Sequence, residues 1–394
     1  METDKIKELK EEFLKNYRTK NKNKIFVFSA PGRVNLIGEH TDYNGGFVLP
    51  CAIDKKTYLV AQLRDDNKLS LISLNFDKRI TCSLDNLVYN KEDDWANYPK
   101  GVSKILLDAG YKIKGANLLY YGTIPIASGL SSSASIEVVT AYGLCVLSKI
   151  KIDKINIALL SQKAENEFVG MKCGIMDQFV ITSGKKDNAL FLDCRTLEYK
   201  HIPLKLRDIV IIISNTKVKR GLVDSEYNKR RQECEDGVKI LNKYNKKIKQ
   251  LRDVEITFFE KYKYELPENI RKRCEHIIYE NERVKSAVIC LDRDKIDEFG
   301  KLINQSHVSL RDLYEVSCKE LDILVEEALK INGTIGSRMT GAGFGGCTVS
   351  LVKKEAVDSF ITQVGKQYKI RTGIEPEFYV SISDDGVKEL GEGI

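Results

Sequence analysis

Hydrophobic residues near the start of the chain recur at helical spacing. Across residues 4–17 they fall on one face, which predicts an amphipathic helix. After a basic, Asn-rich stretch, the apolar run Ile25–Ser29 predicts a strand. Apolar and polar positions then alternate over residues 46–64 and 68–84, which predicts two strands that pair with each other.

The rest of the first half switches between helix and strand patterns. The predicted elements are a helix around Gly101–Ala109, a strand over Ala116–Thr123, a helix ending near Leu147, a helix from a cap at Asp153 to about Val169, and a strand pattern over residues 178–194. The helix that ends near Leu147 is apolar on nearly all sides, so we expect it to be central and buried.

The second half predicts a separate lobe. Its elements are a strand over Ile209–Ile213, a charged helix from Asp224 to about Leu241, a charged, peripheral helical region over residues 245–275, a helical array over residues 277–330, a glycine-rich stretch and strand over Arg338–Leu351, and a final strand over Phe378–Ile382. A chain of 394 residues is too long for one small core and typical of two domains in contact. We place the boundary near residue 205, which gives domains 1–205 and 206–394.

The composition is that of a soluble globular protein, with 30% charged and 42% hydrophobic residues. The net charge of +7 fits an anionic ligand such as a nucleotide, or simply a lysine-rich solvated surface. No aromatic–basic repeat, zinc pattern or basic tail indicates nucleic-acid binding. No apolar run reaches membrane-spanning length. We therefore expect neither a nucleic acid nor a membrane as a partner.

The ten cysteines are scattered, and no two of them form a CxxC pair. Several lie in apolar runs, as Cys145 does, which is typical of reduced, buried thiols in a cytosolic protein. The N-terminus is charged from Glu2 onward and lacks the apolar segment of a signal peptide. These features predict a cytoplasmic protein. We expect a monomer or a weak dimer.

Residues 30–50 hold an unusually dense group of polar side chains. Four glycines accompany five such residues, namely Arg33, Glu39, His40, Asp42 and Tyr43. Polar groups at this density cost stability when they are buried without partners, so a ligand explains them better than packing does. Mixed donors and acceptors suit a polyhydroxylated substrate. The alternative is a surface turn whose carboxylates are solvated.

The segment Gly32–Tyr43 resembles the galactokinase signature without a break over twelve residues. Two more stretches point to the same family. Cys173–Phe179 is similar to the segment that carries the family's catalytic aspartate, and Glu226–Cys234 is similar to the segment whose tyrosine contacts the sugar. With the two motifs described next, the resemblance extends from about residue 20 to residue 385.

A loop of small residues before the buried helix predicts a phosphate site. Its members are Ser128, Gly129, Leu130, Ser131, Ser132 and Ser133. Free N–H groups and the helix dipole at such a terminus favour phosphate, although helix capping alone also explains the serines. The GK[ST] element of a Walker A loop is missing. The loop resembles the phosphate loop of the GHMP kinases, which implies that it binds ATP.

The third motif is Arg338–Cys347, with four glycines in six residues: Gly341, Gly343, Gly345 and Gly346. Such a backbone can approach a ligand closely, or it can simply form a tight loop before a strand. The GxGxxG spacing is present, but no βαβ unit surrounds it, so we reject a dinucleotide site. The motif resembles the glycine motif that lines the cleft of GHMP kinases. Ala342 stands where many relatives have glycine, and it should be tolerated unless φ must be positive.

The resemblance implies roles in phosphoryl transfer. Ser133 and Glu165 are the implied Mg²⁺ ligands, and Glu167 is the nearest rival to Glu165. Asp177 is the candidate base for the anomeric hydroxyl, unless it only orients that hydroxyl. Helix capping is the alternative role for this aspartate. Arg33 would keep Asp177 ionised and stabilise charge in the transition state.

The implied sugar contacts are Glu39, His40, Thr41, Asp42, Gly174 and Tyr227. The resemblance places Asp42 at the 3- and 4-hydroxyls, Glu39 at the 6-hydroxyl and Tyr227 near the 4-hydroxyl. Trp95, the single tryptophan, resembles a residue beside the adenine, although a packing role explains it equally well.

The resemblance implies an α+β fold with two lobes and the site between them. The N-terminal lobe would carry a mixed sheet (ribosomal S5 domain 2-like), and the C-terminal lobe an antiparallel, ferredoxin-like sheet. The implied activity is phosphorylation of α-D-galactose at its anomeric hydroxyl, with ATP as co-substrate and Mg²⁺. Alternatives are a GHMP kinase for N-acetylgalactosamine or arabinose, and a non-catalytic sensor of galactose and ATP. The Ser133–Ala134 pair and Asp177 favour an enzyme over a sensor.

Overall fold

The structure is a computed structural model that describes residues 2–17, 24–125, 129–218 and 223–392. The statements below refer to these ranges. Ser128 of the expected phosphate loop lies outside them.

The first half alternates short strands with helices. Its elements are α1 (Glu2–Tyr17), β1 (Ile25–Asn35), β2 (Phe47–Val48), β3 (Pro50–Leu63), β4 (Lys68–Ser73), β5 (Arg79–Ser83), α2 (Asn97–Asp108), β6 (Ala116–Gly122), α3 (Ser132–Leu147), α4 (Lys154–Lys163), α5 (Met176–Ser183), β7 (Asn188–Asp193) and β8 (Tyr199–Pro203). The carboxylate of Asp153 accepts the backbone N–H of Asn156 at 2.8 Å, which confirms the predicted cap of α4. A π-helical turn, Ala164–Val169, extends this helix.

The second half is richer in helices. Its elements are β9 (Ile209–Asn215), α6 (Val223–Leu241), α7 (Ile256–Tyr262), α8 (Glu268–Asp292), α9 (Ile296–Ser309), α10 (Lys319–Leu329), β10 (Thr334–Thr340), β11 (Cys347–Lys353), α11 (Val357–Thr372), β12 (Glu377–Ser381) and β13 (Lys388–Glu392). A π-helical turn, Leu310–Tyr314, follows α9.

A six-stranded mixed sheet supports the first lobe, in the order β13-β1-β3-β6-β4-β5. Strands β4 and β6 run parallel, and the other neighbours run antiparallel. Helix α3 packs against β1 and β3 and is buried along most of its length, as its composition predicts. The small sheet β2-β7-β8 is antiparallel.

The second lobe is built on a four-stranded antiparallel sheet in the order β10-β11-β9-β12. Helices α9 and α10 pack against β10, α10 contacts α11, and α8 packs against both α6 and α9. The predicted α+β class, with a mixed sheet in the first lobe and an antiparallel sheet in the second, is confirmed.

Three predictions about local structure are wrong in part. Strands β3 and β4 do not pair, because β6 lies between them. Residues 176–183 form helix α5, although 178–194 alternates in the manner of a strand. This helix packs against α3 and α4, and such packing overrides β-propensity. The region 245–275 is only partly helical: it contains α7, the start of α8 and two short 3₁₀ turns, Leu251–Asp253 and Lys263–Glu265.

A fourth prediction is also wrong in part, because the strand expected over Phe378–Ile382 forms as β12 but is not the final one. A further strand follows it and returns to the first lobe. Residues 388–392 form β13, which pairs with β1 from Phe26↔Glu392 to Ser29↔Lys388. Residues on both sides of the predicted boundary therefore share one sheet. The placement of that boundary at residue 205 stays a prediction.

All ten cysteines are free thiols, and six of them are buried. Within the described ranges, none of the helices combines the length and apolar character needed to cross a membrane.

Candidate active site

Strand β1 carries the first part of the polar signature into the centre of the molecule. The strand is longer than predicted, so Arg33 lies within it, opposite Ala52 of β3. The side chain is 6% exposed. Burial disfavours its charge, but the carboxylates of Asp177, Glu39 and Asp42 outweigh burial and raise the pKa of Arg33. The arginine is therefore a fixed, buried cation.

Asp177 is the principal partner of this cation. Nε and Nη2 of Arg33 donate to Oδ1 and Oδ2 of Asp177, each at 2.7 Å. The hydroxyl of Ser131 donates to Oδ2 of the same carboxylate. Asp177 lies in the first turn of α5, and its oxygens are used by these groups from other elements. The side chain remains 27% exposed, so it pairs with the arginine and is still accessible from solvent.

The expected phosphate loop approaches the same arginine. Nη1 of Arg33 donates to the carbonyl of Gly129 at 2.7 Å, and its backbone N–H donates to the carbonyl of Leu130 at 3.2 Å. Gly129 and Ser131 have positive φ angles of 77° and 61°, so the backbone bends sharply before α3 begins at Ser132. The loop thus turns into the N-terminus of a long buried helix, the geometry that favours an anion.

The two expected metal ligands meet beside this loop. Glu165 is 6% exposed and accepts a hydrogen bond from the hydroxyl of Ser133. Burial and the charge of Asp177 raise the pKa of Glu165. Glu167, the rival carboxylate, is 61% exposed and lies 3.8 Å from Lys163. The geometry therefore favours Glu165 over Glu167.

A hydroxyl and a carboxylate are the hard oxygen donors that Mg²⁺ prefers, and phosphate oxygens and water usually complete its coordination. The donor set of Ser133 and Glu165 fits that pattern. No group of three or more His, Cys, Asp or Glu side chains suited to a metal ion occurs among residues 2–17, 24–125, 129–218 and 223–392. A Mg²⁺ ion held by two protein ligands and the oxygens of a triphosphate does not need a cluster of three such side chains.

Two buried residues that the sequence did not reveal hold Glu165 in place. Nε2 of Gln178 donates to Oε2 of Glu165 at 2.6 Å and to Oε2 of Glu137 at 3.2 Å. Both Gln178 and Glu137 are completely buried. Burial and the neighbouring Glu165 raise the pKa of Glu137 well above its ordinary value. The one signal in the sequence was Glu137, the single charged residue of the buried helix α3.

A cavity of about 300 Å³ opens next to Ser132 and Ser133. Trp95 lines it and stacks on Phe76, with ring centroids 6.4 Å apart and planes 14° apart. Trp95 is only 7% exposed, and its indole Nε1 is buried with no hydrogen-bond partner in the part of the chain described here. The residue therefore packs in the core, and part of it also lines the cavity.

Asp42 packs against Gly174 within electrostatic range of Arg33. A Cβ atom added to Gly174 would lie 1.8 Å from Oδ2 of Asp42, so only glycine fits at this position. Burial and the nearby charge of Asp177 raise the pKa of Asp42 to about 7. Two carboxylates thus approach each other at the cleft, which is typical of functional sites.

Glu39 is more enclosed than a cleft residue would be. It is 2% exposed, and its Oε1 accepts the backbone N–H of Gly341 at 2.7 Å and the hydroxyl of Thr340 at 3.0 Å. Nη2 of Arg338 lies 2.7 Å from the same oxygen, while Asn35 donates to Oε2 at 3.0 Å. Glu39 therefore joins the signature to the glycine motif, and its contact with a sugar hydroxyl stays a prediction.

Thr41 and His40 differ in what they offer to the cleft. Thr41 is completely buried, and its hydroxyl lies 2.8 and 2.6 Å from the carbonyl oxygens of Gly38 and Phe47. These contacts favour a role in shaping the loop, and the expected sugar contact of Thr41 stays a prediction. His40 has a φ angle of 64°, and burial together with His276 lowers its pKa to about 3. It is therefore a neutral imidazole.

Tyr227 lies on α6 and faces the signature loop. Its ring centroid is 5.2 Å from that of Tyr43 and 5.6 Å from that of His40. The charge of Asp42 contributes, after burial, to a pKa of Tyr227 well above its ordinary value. The structure therefore brings this residue of the second half beside the signature of the first half.

The glycine motif bends as its composition predicts. Gly341, Gly343, Gly345 and Gly346 all have positive φ angles, between 84° and 115°. Ala342 does not, which explains why alanine is tolerated there. A Cβ atom on Gly341 would lie 3.4 Å from the carbonyl oxygen of Gly129, so this motif lies against the phosphate loop.

Helix α8 supports the signature loop through residues that the sequence did not single out. Glu280 is completely buried and accepts the backbone N–H of Gly38 at 2.9 Å and the hydroxyl of Ser306 at 2.6 Å. The side-chain oxygen of Asn281 accepts the backbone N–H of Phe47 at 2.9 Å. These polar residues lie in an ordinary charged helix, so no local pattern marks them.

Three family models match the chain. The galactokinase galactose-binding signature matches residues 11–63, the GHMP kinases N terminal domain residues 97–185, and the GHMP kinases C terminal domain residues 287–370. The polar signature, the phosphate loop and the glycine motif each lie within one of these three regions, in that order.

Whole-chain comparisons agree with these matches. The chain is 54% identical to a galactokinase of Fusobacterium nucleatum and 49% identical to one of Clostridium tetani, in both cases over 98% of each chain. Its structure superimposes on that of Lactococcus lactis galactokinase complexed with galactose with a TM-score of 0.94, at 41% identity over 98% of this chain and 100% of that one. Methanococcus jannaschii mevalonate kinase, at 18% identity and a TM-score of 0.67, shares the fold over 93% of this chain and 100% of its own.

Proposed function

The chain belongs to the galactokinase family of the GHMP kinases, and we propose that it transfers the γ-phosphoryl group of ATP to the anomeric hydroxyl of α-D-galactose. The products are α-D-galactose 1-phosphate and ADP. The observation that carries this proposal is the position of the Arg33–Asp177 pair. It contacts the phosphate loop through Gly129 and lies within electrostatic range of Asp42, which packs against Gly174.

The nucleotide would lie along the phosphate loop with its base in the cavity beside Trp95. The stacked rings of Trp95 and Phe76, which both line this cavity, support adenine binding there. The bend at Gly129 and Ser131 and the N-terminus of α3 would receive the phosphates.

Ser133 and Glu165 would hold Mg²⁺ against the phosphate oxygens. When bound, the ion neutralises the charge of the triphosphate. The hydrogen bond from Gln178 fixes Oε2 of Glu165, so the carboxylate is oriented before the nucleotide arrives. Outer partners of this kind typically set the geometry of a metal ligand.

Asp177 would accept the hydrogen bond of the anomeric hydroxyl and hold that oxygen in line with the γ-phosphorus. Whether it removes the proton fully matters less than its position, because phosphoryl transfer depends largely on positioning and electrostatics. Arg33 would orient Asp177 through its two hydrogen bonds and present positive charge to the transferring group.

The sugar would be recognised by the wall of the cleft that carries Asp42, Gly174, His40 and Tyr227. The absence of a side chain at Gly174 lets Asp42 reach the cleft. A neutral His40 and a protonated Tyr227 can each exchange hydrogen bonds with hydroxyl groups. Glu39 would take part at the 6-hydroxyl while holding Gly341 in place.

The relatives named above favour galactose over N-acetylgalactosamine or arabinose, because both curated ones are galactokinases. The Ser131–Asp177 and Ser133–Glu165 contacts favour an enzyme over a sensor, since they preserve the groups that transfer chemistry needs. Ten free thiols support a reducing, cytoplasmic location. We propose a monomer or a weak dimer.

A substrate panel tests the proposal. ADP release is measured with galactose, glucose, N-acetylgalactosamine and arabinose, each with and without Mg²⁺. We expect release with galactose that depends on Mg²⁺ and little release with glucose. A preference for another sugar, or no release with any of them, would contradict the proposal.

A further inference from the structure

Tyr314 lies between the signature segment, Gly32–Tyr43, and helix α6, which carries Tyr227. It ends the π-helical turn after α9 and is completely buried. Its ring centroid lies 4.8 Å from that of His40 and 4.6 Å from that of His276. The mechanism proposed above does not use this residue.

On one side, the hydroxyl of Tyr314 is bonded to the signature loop. It lies 2.7 Å from the hydroxyl of Tyr43, which in turn lies 2.8 Å from Nδ1 of His40. A continuous chain of hydrogen bonds therefore leads from Tyr314 to a residue of the signature.

On the other side, Tyr314 is bonded to helix α6. Its hydroxyl lies 3.2 Å from Sγ of Cys234, and Nε of Arg230 donates to its backbone carbonyl at 2.8 Å. Nη2 of Arg230 donates to the next carbonyl, that of Glu315, also at 2.8 Å. Tyr227 lies on the same helix, one turn before Arg230.

We propose that the hydroxyl of Tyr314 is a positioning group for the sugar site, which sets the distance between the signature loop and Tyr227. The inference rests on the proposed function, because it assumes that these two elements contact galactose. Tyr314 itself does not reach the cleft.

The physical reason lies in the burial of the chain of hydroxyls. Burial raises the pKa of Tyr43 and of Tyr314 well above the ordinary value, so both hydroxyls stay protonated and can donate. Removing the central hydroxyl leaves Tyr43 and Cys234 without that partner in a dry environment, which is costly unless the neighbours move. Tyr43 lies against the rings of His40 and Tyr227, so a shift of Tyr43 would move these two residues and change the sugar site.

The test is Tyr314→Phe, which removes one oxygen and keeps the ring. We expect the KM for galactose to rise about three- to tenfold, the effect of losing one buried hydrogen bond. The KM for ATP and kcat should stay within about twofold of the wild type. Tyr17→Phe is the matched control, because its hydroxyl bonds to the carbonyls of Ser70 and Leu118 at 2.6 and 2.9 Å, within the six-stranded sheet. This control should lower thermal stability without changing either KM.

Tyr43→Phe and the double variant provide a second measurement. If the two hydroxyls act as one unit, the double variant should raise the KM for galactose no further than the more affected single variant does.

The possible outcomes separate the two proposals. If the wild type phosphorylates galactose but Tyr314→Phe leaves its KM unchanged, the residue is merely structural and the inference is wrong. If Tyr314→Phe raises the KM for galactose and the KM for ATP by the same factor, the inference is also contradicted. A wild-type protein that releases no ADP with galactose overturns the proposed function and this inference with it.

Discussion

The guanidinium of Arg33 and the carboxylate of Asp177 lie edge to edge, with two parallel hydrogen bonds of 2.7 Å. The remaining nitrogen of that guanidinium donates to Gly129 of the phosphate loop. One buried side chain therefore fixes the distance between the group proposed to hold the sugar hydroxyl and the loop proposed to hold the triphosphate. Such preorganisation is what an in-line transfer requires.

Arg33→Lys tests whether this geometry matters beyond the charge. Lysine is a point charge and cannot bridge both carboxylate oxygens and the carbonyl of Gly129. We expect kcat/KM for galactose to fall about 10²-fold, the usual cost of a small misplacement at the reacting atoms. Steady-state kinetics measure it. A lysine variant with wild-type kcat/KM would mean that Arg33 acts only as a distant charge.

Asp177→Asn tests the role of the carboxylate. The variant should fold and bind galactose, because asparagine keeps the shape of the side chain. Turnover should fall about 10²–10⁴-fold, the range for an acid–base group. Stopped assays give kcat, and calorimetry gives the affinity for galactose. Near-normal turnover would remove Asp177 from the chemistry.

Ser133→Ala and Glu165→Gln test the proposed metal ligands. Each should raise the Mg²⁺ concentration needed for half-maximal activity, because a weakly held ion loses one of few protein ligands. Glu167→Gln is the control, since that carboxylate is 61% exposed. Calorimetric titration of Mg²⁺ into the ADP complex provides a readout that does not depend on turnover. If all three variants titrate like the wild type, the metal site lies elsewhere.

The pKa of Asp42 predicts a pH-dependent stability. The folded protein holds this proton up to about pH 7, whereas an unfolded aspartate loses it near pH 4. The folded state therefore binds more protons in this window, and the contribution of Asp42 to stability is lost as the pH rises through 7. Asp42→Asn should differ least from the wild type near pH 4, where the unfolded aspartate is still partly protonated.

At pH 8 the same variant, without ligands, should be more stable than the wild type by about 1 kcal/mol or more, because it has no buried charge. Urea unfolding at the two pH values measures the difference. A difference in stability between variant and wild type that is the same at pH 4 and pH 8 would show that Asp42 ionises normally, and would contradict the prediction. The variant should nevertheless fail to phosphorylate galactose.

Tyr227→Phe tests whether the hydroxyl of Tyr227 recognises the axial 4-hydroxyl of galactose. A site that pairs this hydroxyl leaves polar groups unsatisfied when glucose is bound, which costs more than a missing methylene. The variant should lose part of its preference for galactose, seen as a lower ratio of the two kcat/KM values. A ratio equal to that of the wild type would show that Tyr227 does not read this position.

The local motifs made much of the site predictable. Arg33, Gly129 and Asp177 were selected from three separate stretches, and they lie in contact. Each stretch combined glycines with charged or hydroxyl side chains, a pattern that packing does not require. The resemblance to a known signature then supplied the roles that spacing alone left open.

The supporting residues could not be predicted, because their partners are distant in sequence. Gln178 bonds to Glu137 across 41 residues, and Tyr314 bonds to Tyr43 across 271. Neither Gln178 nor Tyr314 lies in a sequence pattern that indicates a hydrogen bond to a residue of the candidate site. Helix α5 could not be predicted either, because its local pattern is that of a strand and its helical conformation is stabilised by packing against α3 and α4.

The central claim is that the anomeric hydroxyl of galactose receives the phosphoryl group. Phosphorus NMR of the product formed from galactose and ATP tests it most directly. We predict a single sugar phosphate whose phosphorus couples to the anomeric proton in the α configuration, and this product should be absent with Asp177→Asn on the same timescale. Coupling to the protons at carbon 6, or ADP release without any sugar phosphate, would contradict the assignment.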